Sequence, residues 1–310
     1  MPSTFNTDAT LSVHPGGCRC ALHRRRLFTG GLLAAATLPA LAQDGVQGDV
    51  GQESRFTKLV SAQQVEAAAA QQYQQMQREA ASQKALAPAD HPQVVRLRAI
   101  AERIIPFAVP WNARAKQWKW EVNLIGSKQI NAFCMPGGKI AFYFGILQQL
   151  QLSDDEVATI MGHEVAHALR EHARERMGKT AATRIGAGVL SALFGLGSAG
   201  DTLLNMGGQL LTLKFGREDE SEADIVGMDL AARAGYDPRA GVSLWNKMMG
   251  VNKGAPPEFM STHPSGPTRI KDIEAKLPKV MPLFEKAAKP PRRFAPPALT
   301  AAAPASAPAR

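Results

Sequence analysis

His163-Glu164-Val165-Ala166-His167 is the stretch on which the reading of this 310-residue chain turns. Two imidazoles stand at i and i+4, with a carboxylate directly after the first. On a helix, i and i+4 share a face. Two neutral imidazoles so placed can hold one zinc ion, and Glu164 can then take a proton from water beside it. The flanking residues predict a helix over 153–177. Ser153 is suited to the N-cap, and Asp154, Asp155 and Glu156 place negative charge in the first turn, where the macrodipole favours it. Val157, Ile160, Met161, Val165, Ala168 and Leu169 form an apolar face at helical spacing. Gly162 costs helix stability and lets a second backbone come close. The charged run 170–176 reads as a solvated helix end, with His172 turned off the metal face.

Catalytic zinc usually takes three protein ligands. Downstream, Arg217-Glu218-Asp219-Glu220-Ser221-Glu222-Ala223-Asp224 leads into the helical apolar pattern of Ile225, Val226, Met228, Leu230 and Ala231. Glu220 and Asp224 share a face at i, i+4 spacing. Glu220 is the candidate third ligand. Asp224 is the candidate acceptor of a hydrogen bond that fixes a ligand histidine's tautomer and orientation. Glu218 and Asp219 read as ordinary acidic residues of a helix N-terminus.

H-E-x-x-H followed by E-x-x-x-D on a later helix resembles the gluzincin arrangement. The acidic string resembles the S-R-x-x-E-x-x-A-D element of peptidase family M48, the group of the HtpX and CAAX prenyl proteases and of soluble periplasmic BepA/LoiP-like members. Here Gly216 stands where that family usually has Ser. Asn131-Ala132-Phe133-Cys134-Met135-Pro136-Gly137-Gly138-Lys139-Ile140 resembles the family's strand element before the zinc helix. Ser261-Thr262-His263-Pro264 with Arg269-Ile270 resembles its T-H-P-x-x-x-x-R-I element. The Gln-rich segment after Lys58 resembles its N-terminal helix. The likeness covers about 56–277 in the family's order.

The resemblance implies an α+β, mainly helical zincin-type metalloprotease domain with a small β-sheet beside the active-site helix. It implies one Zn2+ per chain, held by His163, His167 and Glu220, with Glu164 as general base. It brings His263 back to the zinc, where two roles stand: hydrogen-bonding the oxyanion of the tetrahedral intermediate, or filling zinc's fourth position and keeping the enzyme latent. A third reading makes His263 a helix cap near Pro267. Arg269 and Arg217 could bind a substrate carbonyl or a site carboxylate. Asn131 and Ala132 are candidates for an edge strand that pairs with an extended peptide, or they pack the zinc helix. Protein or peptide substrates are implied, misfolded or stalled envelope proteins among them. The competing function is a chaperone-like outer-membrane assembly factor with a latent zinc site.

The ends differ from the body. Arg25-Arg26-Leu27-Phe28 matches a twin-arginine pattern, an apolar stretch runs over 32–41, and Ala40-Leu41-Ala42 offers a cleavage site. Residues 1–42 therefore read as an export signal, of the twin-arginine type or a Sec signal with incidental arginines, and the expected location is the periplasm. Residues 43–57 read as a linker, 58–284 as the protease domain, and 285–310, rich in Pro, Ala, Lys and Arg, as a disordered tail. The formal charge is +9, but the basic excess sits in these two ends and the body is near neutral. No basic, aromatic-interleaved module suggests nucleic acid. Cys18 and Cys20 fall in the signal, so Cys134 would remain alone in the mature chain, a small buried hydrophobe.

Between the two zinc elements, 185–200 carries no charge and many glycines. Buried helices over the cleft, or contact with a membrane surface through 185–213 or the basic tail, are the two readings; Asp201 argues against a bilayer span. Helices are predicted over 58–86 and 93–105. Strands are predicted over 118–124, 130–133 and 139–144, with Pro136-Gly137-Gly138 as a turn.

Overall fold

The computed structural model describes residues 45–186, 199–251, 257–263 and 268–298. The chain divides into 1–42 and 43–310. The first unit, read above as an export signal with Cys18 and Cys20, lies outside the described residues, as do 299–310 and the apolar stretch 187–198.

Ten helices and three strands make up the described part. In chain order they are α1 (Ala62–Ser82), α2 (Pro92–Ile104), β1 (Glu121–Ile125), β2 (Ala132–Met135), β3 (Lys139–Tyr143), α3 (Phe144–Gln149), α4 (Asp154–Leu169), α5 (His172–Gly186), α6 (Ala199–Thr212), α7 (Arg217–Arg233), α8 (Ala240–Gly250), α9 (Glu258–Thr262) and α10 (Arg269–Lys286). The expected α+β class holds, and the predicted helices and strands fall within a few residues of the observed elements, except the helix expected over 153–177. None of the described helices is long and apolar enough to cross a membrane.

The sheet has the order β1-β3-β2, with β1 parallel and β2 antiparallel to β3. Four of the five residues of β3, Lys139 to Phe142, are buried, as a central strand requires. The turn from β2 to β3 closes with Gly138 N–H donating to Met135 O, and Gly137 has φ +82°. Pro at the second position and a left-handed Gly at the third are the demands of a type II turn. Among the described residues no further strand pairs with the outer edge of β2, and β2 lies against α4.

Helix α4 starts as its sequence predicts. Ser153 Oγ accepts the Glu156 N–H, and Glu156 Oε2 accepts the Ser153 N–H at 2.8 Å, a reciprocal cap. Asp154 is no free first-turn charge. It is buried against fully buried Arg96 of α2 (Nε–Oδ1 2.7 Å). The helix ends earlier than predicted. The helix breaks at Arg170–Glu171, where Glu171 has φ +55°, and α5 begins at His172. The single helix expected over 153–177 is thus two, and the expected solvated end at 170–176 includes buried Glu171, His172 and Ala173.

Helices α4 and α7 cross at a glycine pair. A Cβ on Gly162 would lie 2.6 Å from Gly227 O, and one on Gly227 would lie 2.6 Å from His163 N. No side chain fits between, and that contact sets the depth at which the two metal-facing helices meet. Gly162→Ala must push them apart. The expected cost is about 1–3 kcal/mol, seen as a melting temperature lower by roughly 2–4 °C per kcal/mol; an unchanged melting curve would contradict this crossing.

Two expected loose segments are docked. In the stretch read as a linker, Val46 is fully buried, Asp49 bridges Lys276 (3.0 Å) and Lys279 (2.5 Å), and Gly51 O accepts from Arg170. In the stretch read as a disordered tail, α10 continues to Lys286 and residues 287–298 lie along the body. Phe294 N–H donates to Asp154 Oδ2 (2.8 Å), Arg293 pairs with Asp155 (2.8 Å), and Gln93 donates to Ala295 O (3.1 Å). The strap donates to the α4 carboxylates through Phe294 N–H and Arg293, and its carbonyls accept from Gln93, Gln148 and Gln151 of the body. Of the segment 185–213, the described C-terminal part of α6 leaves Leu211 exposed and Leu210 half-buried, rather than making a buried core.

Candidate active site

The crossing of α4 and α7 brings His163, His167 and Glu220 together, and the end of α9 adds His263. One ligand atom from each lies within 4.8 Å of all the others. His163 Nε2 is 3.1 Å from His167 Nε2, 3.5 Å from Glu220 Oε2 and 3.3 Å from His263 Nδ1. His167 Nε2 is 3.4 Å from Glu220 Oε1, and His263 Nδ1 is 3.0 Å from the same oxygen. These spacings test the fit to zinc. Tetrahedral zinc with bonds of about 2.0–2.1 Å has ligand–ligand edges of about 3.3–3.4 Å. The five spacings given, 3.0–3.5 Å and taken over both Glu220 oxygens, are close to this, and the donors are the nitrogen and oxygen types zinc takes.

The clustered side chains are held from behind. Asp224 Oδ1 lies 2.9 Å from His163 Nδ1, which leaves Nε2 for the metal side. Arg269, buried, donates to Glu220 Oε2 (2.9 Å) and Asp224 Oδ1 (2.7 Å), with its guanidinium 3.7 Å from the centre of the Trp245 ring. Its two terminal nitrogens thus meet the site-carboxylate expectation, its Nε has no hydrogen-bond partner, and it is not among the residues lining the cleft of Glu164 and His263. Arg217 is exposed in the first turn of α7 and lines the 400 Å³ cavity behind Glu220. Gly216 needs no side chain to start that turn, since Asp219 Oδ2 accepts its N–H at 2.7 Å. Asp219 is thus part of the cap rather than a free charge.

Two aromatic rings brace the histidines. Phe215 stacks on His167 at 4.0 Å, and Phe259 on His263 at 4.7 Å. His172 differs most from expectation. It is buried, its Nδ1 is 2.9 Å from His167 Nδ1, and its Nε2 is 3.1 Å from Glu222 Oε2. Helical spacing had turned it away; the left-handed break at Glu171 turns it back. No pattern in the residues signals that break, since Gly or Asn is the usual marker.

Glu164 is 2 % exposed, and its Oε1 has no hydrogen-bond partner. That oxygen lies 3.5 Å from His263 Nε2. Burial raises the Glu164 pKa, against lowering by neighbouring histidines and a hydrogen bond from the Cys134 backbone. Burial also holds His167 neutral, well below its usual range. Burial acts the same way on His163, but hydrogen bonds to Asp224 and Glu220 prevail and raise its pKa to about 9. Without metal the cluster therefore keeps a proton on His163; a cation there replaces it. The Glu220 carboxyl, despite burial, is held far below its ordinary range by the three histidines.

A cleft of 180 Å³ opens on Glu164, His167 and His263. Residues 131–136, at the outer edge of β2, form one wall, and Leu210, Leu211, Leu213 and Phe215 form the other. Ala132 is buried, and its N–H donates to Asn131 Oδ1 at 2.9 Å. Cys134, also on this wall, is a buried free thiol with its pKa raised by burial.

The fold and the clustered donors are of the gluzincin type. The chain belongs to peptidase family M48, whose model matches residues 91–277, more than half of the sequence. It is 38 % identical over 152 residues to the mitochondrial metalloendopeptidase OMA1 of Arabidopsis thaliana, covering 49 % of this chain and 30 % of that protein. It is 34 % identical over 195 residues to the protein of the same name from Schizosaccharomyces pombe, covering 62 % and 55 %. With the metalloprotease LoiP of Escherichia coli it shares 27 % over 199 residues, covering 63 % and 75 %. The match thus spans less than two thirds of the OMA1 proteins' own length.

Proposed function

We propose that the protein is a zinc-dependent endopeptidase that cuts extended segments of unfolded envelope proteins in the periplasm. The observation that carries this is Glu164 Oε1, a buried carboxylate oxygen without a partner, facing the His163, His167, Glu220 cluster beside a sheet edge. One Zn2+ per chain would be held by those three residues. Bound there, it acidifies water and polarises a carbonyl. Glu164 takes the attacking water's proton and passes it to the leaving amine. Asp224 keeps His163 oriented, and Arg269 keeps Glu220 and Asp224 in place. The substrate lies along Asn131 and Ala132, its carbonyl replacing Asn131 Oδ1 at the Ala132 N–H. The twin-arginine signal supports export, and the exposed Leu211 with the basic tail would allow peripheral membrane contact.

The test is casein cleavage. Protein stripped by a chelator is expected to lose all activity and recover it with one equivalent of zinc; cleavage that survives a verified metal-free preparation would overturn the reading. A second reading, an assembly factor whose site is mostly latent, is favoured by the place of His263, whose Nδ1 sits among the ligand atoms.

A further inference from the structure

Behind His167 runs a line of three side chains that the reaction above does not use. His167 Nδ1 meets His172 Nδ1 at 2.9 Å, His172 Nε2 meets Glu222 Oε2 at 3.1 Å, and Glu222 Oε1 accepts from Arg170 Nε at 2.6 Å. His172 is 1 % exposed, so no water replaces these partners cheaply. We propose that His172 is a positioning residue that sets the tautomer of His167 for metal binding, on instruction from Glu222 as oriented by Arg170. This rests on the reading that His163, His167 and Glu220 hold zinc.

Proton counting gives the direction. Glu222 Oε1 accepts from the Arg170 guanidinium at 2.6 Å, the geometry of a charge-assisted carboxylate pair, and Oε2 then faces His172 Nε2 as an acceptor. His172 must therefore carry its proton on Nε2. A neutral imidazole has one N–H, so His172 Nδ1 is a bare acceptor. Two facing ring nitrogens at 2.9 Å need one donor, and His167 Nδ1 supplies it. The lone pair of His167 is then on Nε2, the atom 3.4 Å from Glu220 Oε1 in the ligand cluster. The two metal-facing histidines are thus set by different means. His163 meets the Asp224 carboxylate directly, whereas His167 reaches its carboxylate through a second imidazole. The left-handed residue Glu171 makes this geometry, because a helix continued through 170–172 would carry His172 about 140° around the axis from His167.

The test measures zinc affinity by competition with a chromophoric chelator, with the visible spectrum of the cobalt-loaded protein as a check on ligand geometry. His172→Phe keeps a ring but removes the acceptor, and zinc should bind about 10–100-fold more weakly. His172→Asn places an oxygen near the lost Nδ1 and should restore most of the affinity. Glu222→Gln is the sharper variant. Arg170 Nε claims the amide oxygen, so the NH2 faces His172 Nε2, reverses both tautomers, and should weaken zinc as much as His172→Phe does. Circular dichroism of the metal-free proteins reports folding, and half-exposed Glu222 keeps the test decisive if His172→Phe does not fold. Zinc affinity within twofold of wild type in folded Glu222→Gln, or His172→Asn as weak as His172→Phe, would overturn the relay. Failure of the wild-type protein to bind zinc, or an ordinary affinity in Glu220→Gln, would instead overturn the site reading beneath it.

Discussion

Purified Glu164→Gln protein is expected to take up zinc as the wild type does and leave casein uncut. The amide keeps the shape of the carboxylate, and Glu164 is not one of the four clustered donors, so metal affinity should stay within a few-fold. What it loses is the ability to accept a proton. General-base assistance contributes typically about 10²–10⁴-fold to a rate, and here the same group returns the proton to the leaving amine, so the upper end of that range is expected. Stability should move the other way or not at all. The wild-type chain buries an ionisable group with one unpartnered oxygen, a feature that costs about 1–3 kcal/mol. A neutral amide relieves part of that cost. Loss of cleavage with an unchanged or raised melting temperature therefore marks chemistry. Casein cleavage at the wild-type rate in the pure variant would remove Glu164 from the mechanism.

How much of this was legible from the residues depends on how local the cause is. Ser153 and Glu156 cap a helix three residues apart, and the i, i+4 pairs 163/167 and 220/224 use helical period alone, so α4, α7 and their metal-facing side chains could be read from spacing. Gly162 hinted at a close backbone, and Gly227 is that backbone. The break at Glu171 has no such local cause. A left-handed Glu is held by its surroundings, here an ion pair with Arg174 and burial against the body, and no propensity announces it. His172 and Glu222 were missed for that reason, being fifty positions apart in sequence and joined only by the fold. Arg269 is a similar case: its two alternatives were chemically equivalent on paper, and the stack on Trp245 decides which way the guanidinium points. The docked strap 287–298 was invisible because its bonds come from Gln93, Asp154 and Asp155, on distant helices, while its own composition resembles that of an unfolded chain.

His263→Ala is expected to raise basal casein cleavage by roughly tenfold to a hundredfold. The ring of His263 presents Nδ1 to the cluster and Nε2 to Glu164, so it occupies the space between metal ligands and base that an attacking water needs. Stacking on Phe259 at 4.7 Å, with Phe215 5.4 Å away, holds the ring there. A site in which the open arrangement is held to a few per cent of molecules shows only that fraction of its intrinsic rate, and deleting the blocking group returns the rest. Alanine removes the ring without touching His163, His167 or Glu220, so zinc affinity should fall modestly, from four protein ligands to the three of an ordinary catalytic site. The opposing role makes the opposite forecast. If His263 instead donates to the oxyanion, its loss should cost about 10²-fold or more in turnover at unchanged zinc content. The sign of the change in casein cleavage therefore separates a latch from a catalytic donor. A fall in rate, with zinc still bound, would sink the latent-site reading.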